Sequence, residues 1–245
     1  MADDISLDIE TADPPETNLI MAFPGPGMGA ISANHYLIEQ LDLTESGHVR
    51  AEGLAAITPF SEGRPYHHTR LFTNQDAECS LLTSELPIPV HLTEPFGRIL
   101  LDWVDDNGVD EVTVLTTMPS IEQTDALYYV ASDDYYQRRL ADLDISPLMG
   151  GFFTGVNASL TSRAIDSNLR AGVLATGVER PHLLDGDSAL RLVEGLSAIY
   201  GFGVDTSELR EFAERTREHY RQLVEQVEAQ TRAQPRSPYA DRGFM

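Results

Sequence analysis

Two glycine-rich junctions, each feeding a segment of helical periodicity, limit this chain to folds in which extended runs turn directly into helices. The first follows the apolar run Asn18-Leu19-Ile20-Met21-Ala22-Phe23 and reads Pro24-Gly25-Pro26-Gly27-Met28-Gly29. Behind it, Ile31, His35, Ile38 and Leu41 recur at helical spacing. The second is Gly150-Gly151-Phe152-Phe153-Thr154-Gly155-Val156-Asn157, followed by Leu160, Ala164, Ile165 and Leu169. Strand, glycine loop and helix is the opening of a dinucleotide-binding unit, and Gly25-x-Gly27-x-x-Ala30 satisfies its loose fingerprint. The same order also serves a plain α/β domain, whose glycines permit tight turning and close packing of helix on strand.

Charge argues against phosphate. All 17 basic residues are arginine, and with 39 acidic residues the formal net charge is −22. Pro24 and Pro26 remove two backbone donors that a pyrophosphate would need. Without lysine there is no Walker loop, no Schiff base and no anchor for pyridoxal phosphate. The field has the wrong sign for nucleic acid. So acidic and lysine-free a chain suits a high-salt cytoplasm, where a Debye length of ~3 Å or less quenches self-repulsion.

The remaining chemistry is sparse. Cys79 is alone, so the chain has no internal disulfide, and no activating base is evident beside it. His67 and His68 are neighbours that would point to opposite faces of a strand. Asp185-Gly186-Asp187-Ser188 reads more simply as a turn and helix cap than as a cation loop. No Gly-x-Ser-x-Gly elbow occurs. The expectation is a non-enzymatic protein with no catalytic residue, metal or cofactor. Neither a basic-then-apolar leader nor a run of ~20 apolar residues is present, which predicts a soluble cytoplasmic protein.

Periodicity predicts a β-rich meander over His48–Ile57, His67–Phe72 and Cys79–Leu82. It also predicts a helix through Phe96, Ile99, Leu100, Trp103 and Val104 that stops at Asn107-Gly108. Strands follow at Val112–Leu115, Leu127–Val130 and Ala171–Gly177, with helices over 134–143 and 188–200. Strands alternating with helices imply a mostly parallel sheet covered on both faces. Asp205-Thr206-Ser207-Glu208 reads as a capping box with Asp205 as N-cap. It opens a helix whose Leu209, Phe212, Thr216, Tyr220, Leu223 and Val227 sit at seam spacing. This helix either folds onto its own sheet or contacts a partner. The expected divisions are an acidic segment over 1–17, an α/β core over 18–204, a helix over 205–232 and a flexible tail over 233–245.

Together, Phe23-Pro24-Gly25-x-Gly27-x-Gly29, the helix bearing Tyr36-Leu37-Ile38-Glu39-Gln40-Leu41, and Gly150-Gly151-x-x-Thr154-Gly155-x-Asn157 resemble the archaeal proteasome assembly chaperone family, its proteasome-assembly-chaperone-2-like group. The resemblance spans Asn18 to Arg232. It implies a three-layer α/β/α sandwich similar to phosphorylase-like folds, no cofactor, and oligomers of one chain or with a paralogue. Some members carry a C-terminal hydrophobic-Tyr-any tripeptide that enters pockets between the α-subunits of the 20S proteasome. Here Gly243-Phe244-Met245 stands in that place: Phe244 supplies the ring, Met245 the carboxylate, and Gly243 departs from the hydrophobic position. The tail from Ala233 can reach at most ~45 Å. An alternative reading follows from relatives described as ATP-grasp proteins, with the Pro24–Gly29 loop holding a nucleotide. That reading lacks the lysines such sites use.

Overall fold

The computed structural model describes residues 6–52, 57–74, 76, 78–119 and 126–233. Its strands are β1 (Ser6–Thr11), β2 (Asn18–Ala22), β3 (Thr44–Glu52), β4 (Phe60–Ser61), β5 (Arg64–Pro65), β6 (Thr69–Asn74), β7 (Cys79–Ser84), β8 (Glu111–Pro119), β9 (Leu127–Ala131), β10 (Ser146–Pro147) and β11 (Arg170–Val178). The helices are α1 (Gly29–Gln40), α2 (Thr93–Asp106), α3 (Asp133–Tyr135), α4 (Gly155–Ile165), α5 (Gly186–Tyr200) and α6 (Ser207–Ala233). Apart from the small hairpin β4–β5, the strands form one sheet in the order β1-β3-β6-β7-β2-β8-β11-β9-β10.

Burial on both faces organises the centre. In β2, Leu19, Ile20, Met21 and Ala22 are all fully buried, and because successive side chains point to opposite faces they feed two cores. Ile20 and Ala22 join Leu37 of α1 and Leu192 and Leu196 of α5. Leu19 and Met21 join Phe96 and Leu100 of α2 and Leu160 of α4. The result is the expected α/β/α sandwich. The four central strands, β7, β2, β8 and β11, run parallel. Antiparallel pairings lie outside them: β1–β3–β6–β7 on one side and β11–β9 on the other.

Within the acidic segment expected over 1–17, Ser6–Thr11 forms β1, which pairs with β3 from Ser6↔Glu52 to Thr11↔Gly47. Ile9 packs on the second core while Glu10, on the other side of the strand, meets Arg50 at 3.0 Å. The helix expected over 134–143 is instead a single α turn that widens into a π-helical turn over Tyr136–Leu140.

Helix ends follow local chemistry. Asp185 caps α5 by accepting from the Ser188 amide at 2.8 Å, and Gly201 closes the helix at φ 74°. At α6 the cap geometry differs from the expected box. Asp205 Oδ1 accepts from both the amide and the hydroxyl of Ser207, two residues on, which forms an Asx turn before the helix. Leu209 and Ala213 are buried, and Arg210–Glu194 and Arg217–Asp187 pairs fix α6 antiparallel on α5. The tail, including Gly243, Phe244 and Met245, lies outside the described residues.

Candidate functional site

Both glycine junctions sit at the carboxyl ends of the central parallel strands, where open α/β sheets bind ligands. Neighbouring threonines of β8 tie them together. Thr117 Oγ1 donates to the Pro26 carbonyl at 2.6 Å, and Asn157 Nδ2 donates to Thr116 Oγ1 at 2.9 Å. Because adjacent residues face opposite sides of a strand, β8 holds the first junction on the α1 face and the second on the α2 face.

The first junction is packed shut. Gly27 adopts φ 68°, its amide donates to the Pro181 carbonyl at 2.9 Å, and its carbonyl accepts from the Asp185 amide at 3.0 Å. The Met28 amide donates to the Gly25 carbonyl at 3.1 Å. With Pro24 and Pro26 lacking N–H groups, these loop amides are committed to the fold. A Cβ on Gly25 would stand 2.9 Å from Thr117 Oγ1, and one on Gly29 would overlap the Ser188 hydroxyl of α5. The glycines therefore let α1 enter against β8 and α5.

The second junction follows a different logic. No atom lies within 4 Å of a Cβ built on Gly150, Gly151 or Gly155, but Gly151 has φ 147° and Gly155 φ 70°. Backbone conformation, not crowding, selects glycine at those two positions. The intervening loop leaves Met149 92% and Phe152 100% exposed. Gly29→Ala is thus expected to lose about 1–3 kcal/mol through overpacking, whereas Gly150→Ala stays within ~0.5 kcal/mol. Urea midpoints of the two variants in the same salt check the contrast.

A polar network that the sequence did not reveal lies at the opposite, amino end of β8. Glu111 is fully buried. Its Oε1 accepts from Arg139 Nε at 2.6 Å and from the Tyr200 hydroxyl at 3.1 Å, and its Oε2 from Arg170 Nε at 3.4 Å. Arg138 Nε lies 3.6 Å from the same carboxylate. Thr113 Oγ1 is 2.6 Å from both the Tyr135 and Tyr200 hydroxyls. Since each hydroxyl carries one proton, the chain has one direction: Tyr135 to Thr113 to Tyr200 to Glu111. Burial pushes the Tyr135 phenol up to about 12 and raises Tyr200 as well, so both remain neutral donors. The network pins the π turn, the end of α5 and the start of β11 to one strand.

Among the described residues no group of three or more His, Cys, Asp or Glu is placed to hold a metal ion. Cys79 is buried, and its thiol is pushed up to about 12 by burial, which leaves it unreactive. No described helix is long and apolar enough to cross a membrane.

With this geometry in place, residues 19–224 match the PAC2 family, and the chain belongs to it. The same fold occurs in Pyrococcus furiosus PbaA, an archaeal homologue of proteasome-assembly chaperone, at 21% identity and TM-score 0.78 over 91% of this chain and 94% of that one. It also occurs in P. furiosus PbaB, an archaeal proteasome activator, at 17% identity and TM-score 0.74 over 89% and 98%. A Thermoplasma acidophilum protein of unknown function matches at 17% identity and TM-score 0.74 over 93% of each chain. No curated protein matches the sequence.

Proposed function

We propose that this chain is a non-enzymatic proteasome assembly chaperone or proteasome-binding adaptor of the cytoplasm. It docks on 20S α-subunits through Gly243-Phe244-Met245 and works as an oligomer of its own copies or with a paralogue. The observation that carries the reading is membership of residues 19–224 in the PAC2 family. PbaA, an archaeal homologue of proteasome-assembly chaperone, and PbaB, an archaeal proteasome activator, share this fold and support the reading.

Physical arguments support the details. Phe244 offers an aromatic ring for a pocket, and the Met245 carboxylate offers a negative charge for a pocket lysine. Pro235 and Pro238 restrict the free tail, which reduces the entropy lost when it docks. A nucleotide-using alternative at the Pro24–Gly29 loop finds little support, since the Gly27 and Met28 amides bond within the fold and the chain has no lysine. Glycines Gly25, Gly27, Gly29, Gly150, Gly151 and Gly155, with Asn157, then serve as structural junctions. The net charge of −22 suits a high-salt interior.

Pull-down of α-ring subunits by the intact chain, compared with a chain lacking Gly243 to Met245, tests this reading. In molar salt the intact chain is expected to retain the subunits and the shortened chain to lose at least about tenfold in affinity, roughly 1.4 kcal/mol or more. Equal retention by both would remove the tail mechanism. Retention by neither would remove the function.

A further inference from the structure

The nine-stranded sheet ends differently on its two sides. β10 is a two-residue strand, Ser146–Pro147, and Pro147 has no N–H to offer. Shortness and proline are common protections of an exposed sheet edge. β1, at the other end, has neither. It runs for six residues, Ser6–Thr11, in unbroken register with β3.

Pairing with β3 fixes which backbone groups are left over. The Ala12 amide donates to the Ser46 carbonyl at 2.7 Å, which carries the register one residue beyond Thr11↔Gly47. In an antiparallel ladder, directly opposed residues alternate between bonded and non-bonded pairs. Ala12, Glu10 and Asp8 therefore bond inward to β3, and the N–H and C=O groups of Leu7, Ile9 and Thr11 turn outward. Among the described residues no backbone group bonds to them. They recur at every second residue, ~6.8 Å apart. Another extended strand matches that spacing; a helix, rising ~1.5 Å per residue, does not.

Side chains select the strand. Ile9 of β1 and Trp103 of α2 both border the second core, and both are partly exposed. Alternate apolar residues of an added strand would extend that border. On the opposite face Asp8 and Glu10 are exposed. Glu10 is shared by Arg50 at 3.0 Å and His48 at 3.6 Å, whereas Asp8 has no ion-pair partner among the described residues. A basic side chain on the neighbouring strand meets Asp8 directly. A second β1 is the wrong occupant, because it brings Asp8 and Glu10 of one copy beside those of another, on bodies that each carry −22.

We propose that the outer edge of β1 binds an extended segment of another protein, about six residues long, with apolar and basic side chains in alternation. The segment joins the sheet beside β1. Its backbone bonds to Leu7, Ile9 and Thr11, its apolar residues lie toward α2, and its arginines or lysines lie beside Asp8 and Glu10. Main-chain bonds supply the affinity and the alternation supplies the choice of partner. The surface uses none of Gly243, Phe244 and Met245.

Amide-resolved hydrogen exchange of the full chain, followed by NMR in ~1 M KCl, tests the proposal. The probe is an N-acetylated hexapeptide of alternating valine and arginine. At saturating peptide, exchange at Leu7, Ile9 and Thr11 is expected to slow roughly tenfold or more, while Asp8 and Glu10, already bonded to β3, change little. The same peptide N-methylated at every residue keeps its side chains but loses its donors, and is expected to protect none of the three. A valine–glutamate peptide is expected to bind about fivefold or more weakly, and Asp8→Arg, at an exposed position, to narrow that gap. Unchanged exchange at Leu7, Ile9 and Thr11 would overturn the proposal. So would equal protection by the methylated peptide, or equal affinity for the two charged peptides. Deleting Gly243 to Met245 leaves the peptide response in place, so failure at this edge and failure of proteasome docking are read separately.

Discussion

Glu111→Ala is expected to destabilise the fold by about 3–5 kcal/mol, the cost of leaving buried charge without its partner. The carboxylate is fully buried at the amino end of β8, and Arg139, which donates to it at 2.6 Å, is only 16% exposed. Removing the acid leaves that guanidinium beside the Tyr200 ring, 4.5 Å from its centroid, and leaves the Tyr200 hydroxyl without its acceptor. Solvent cannot readily replace either contact. Arg138 makes the opposite comparison. Its side chain is 58% exposed and 3.6 Å from the carboxylate, so Arg138→Ala is expected to cost no more than about 1 kcal/mol. Urea unfolding in molar salt, followed by circular dichroism, separates the two. Glu111→Ala within 1 kcal/mol of the parent protein would mean that the network stabilises nothing.

That network also shows where sequence reading runs out. In a chain with 39 acidic residues, one more glutamate ahead of a β-branched run reads as solvated surface. Its burial depends on Arg139, Arg170 and Tyr200, which come from three distant stretches of chain. No local spacing brings them together. The core of the sheet was legible for the opposite reason. Val112, Val114, Leu115, Val173 and Leu174 are buried on one face or the other, so β8 and β11 read as near-continuous apolar runs.

Strand direction was not legible. β9 looks like any other short apolar strand, yet it runs antiparallel to β11. Fewer residues separate β8 from β9 than a crossover helix needs, and that topological cue overrides the alternation of strands with helices. β1 was missed because Leu7 and Ile9 alternate with Asp8 and Glu10, and the acidic residues dominated the reading. The two glycine junctions were found as motifs, but their different reasons were not. Crowding against Ser188 at Gly29 and positive φ at Gly155 look the same in one-letter code.

Lowering the salt from ~1 M to ~0.01 M is expected to cost this protein on the order of 10 kcal/mol of stability, enough to unfold it at room temperature. The loss follows from charge and size. A chain of 245 residues folds to a radius of gyration of about 18 Å and unfolds to about 54 Å. Spreading −22 charges over the smaller body costs far more when the Debye length is ~30 Å than when it is ~3 Å. Local pairs such as Arg50–Glu10 and Arg163–Asp102 strengthen as salt is removed. Exposed pairs contribute only about 0–1 kcal/mol each, too little to offset the sum. Two mechanisms predict salt stabilisation and can be separated. Screening nears its limit once the Debye length is ~3 Å and depends on ionic strength alone, whereas salting-out of apolar surface continues upward and is stronger for sulfate than for chloride. Melting curves in KCl and in K₂SO₄ at matched ionic strength are therefore expected to coincide below ~1 M and diverge above it. A midpoint that does not move between ~0.01 M and ~1 M KCl would show that the acidic surface is neutralised in some other way, for instance by carboxyl groups that stay protonated on the folded chain.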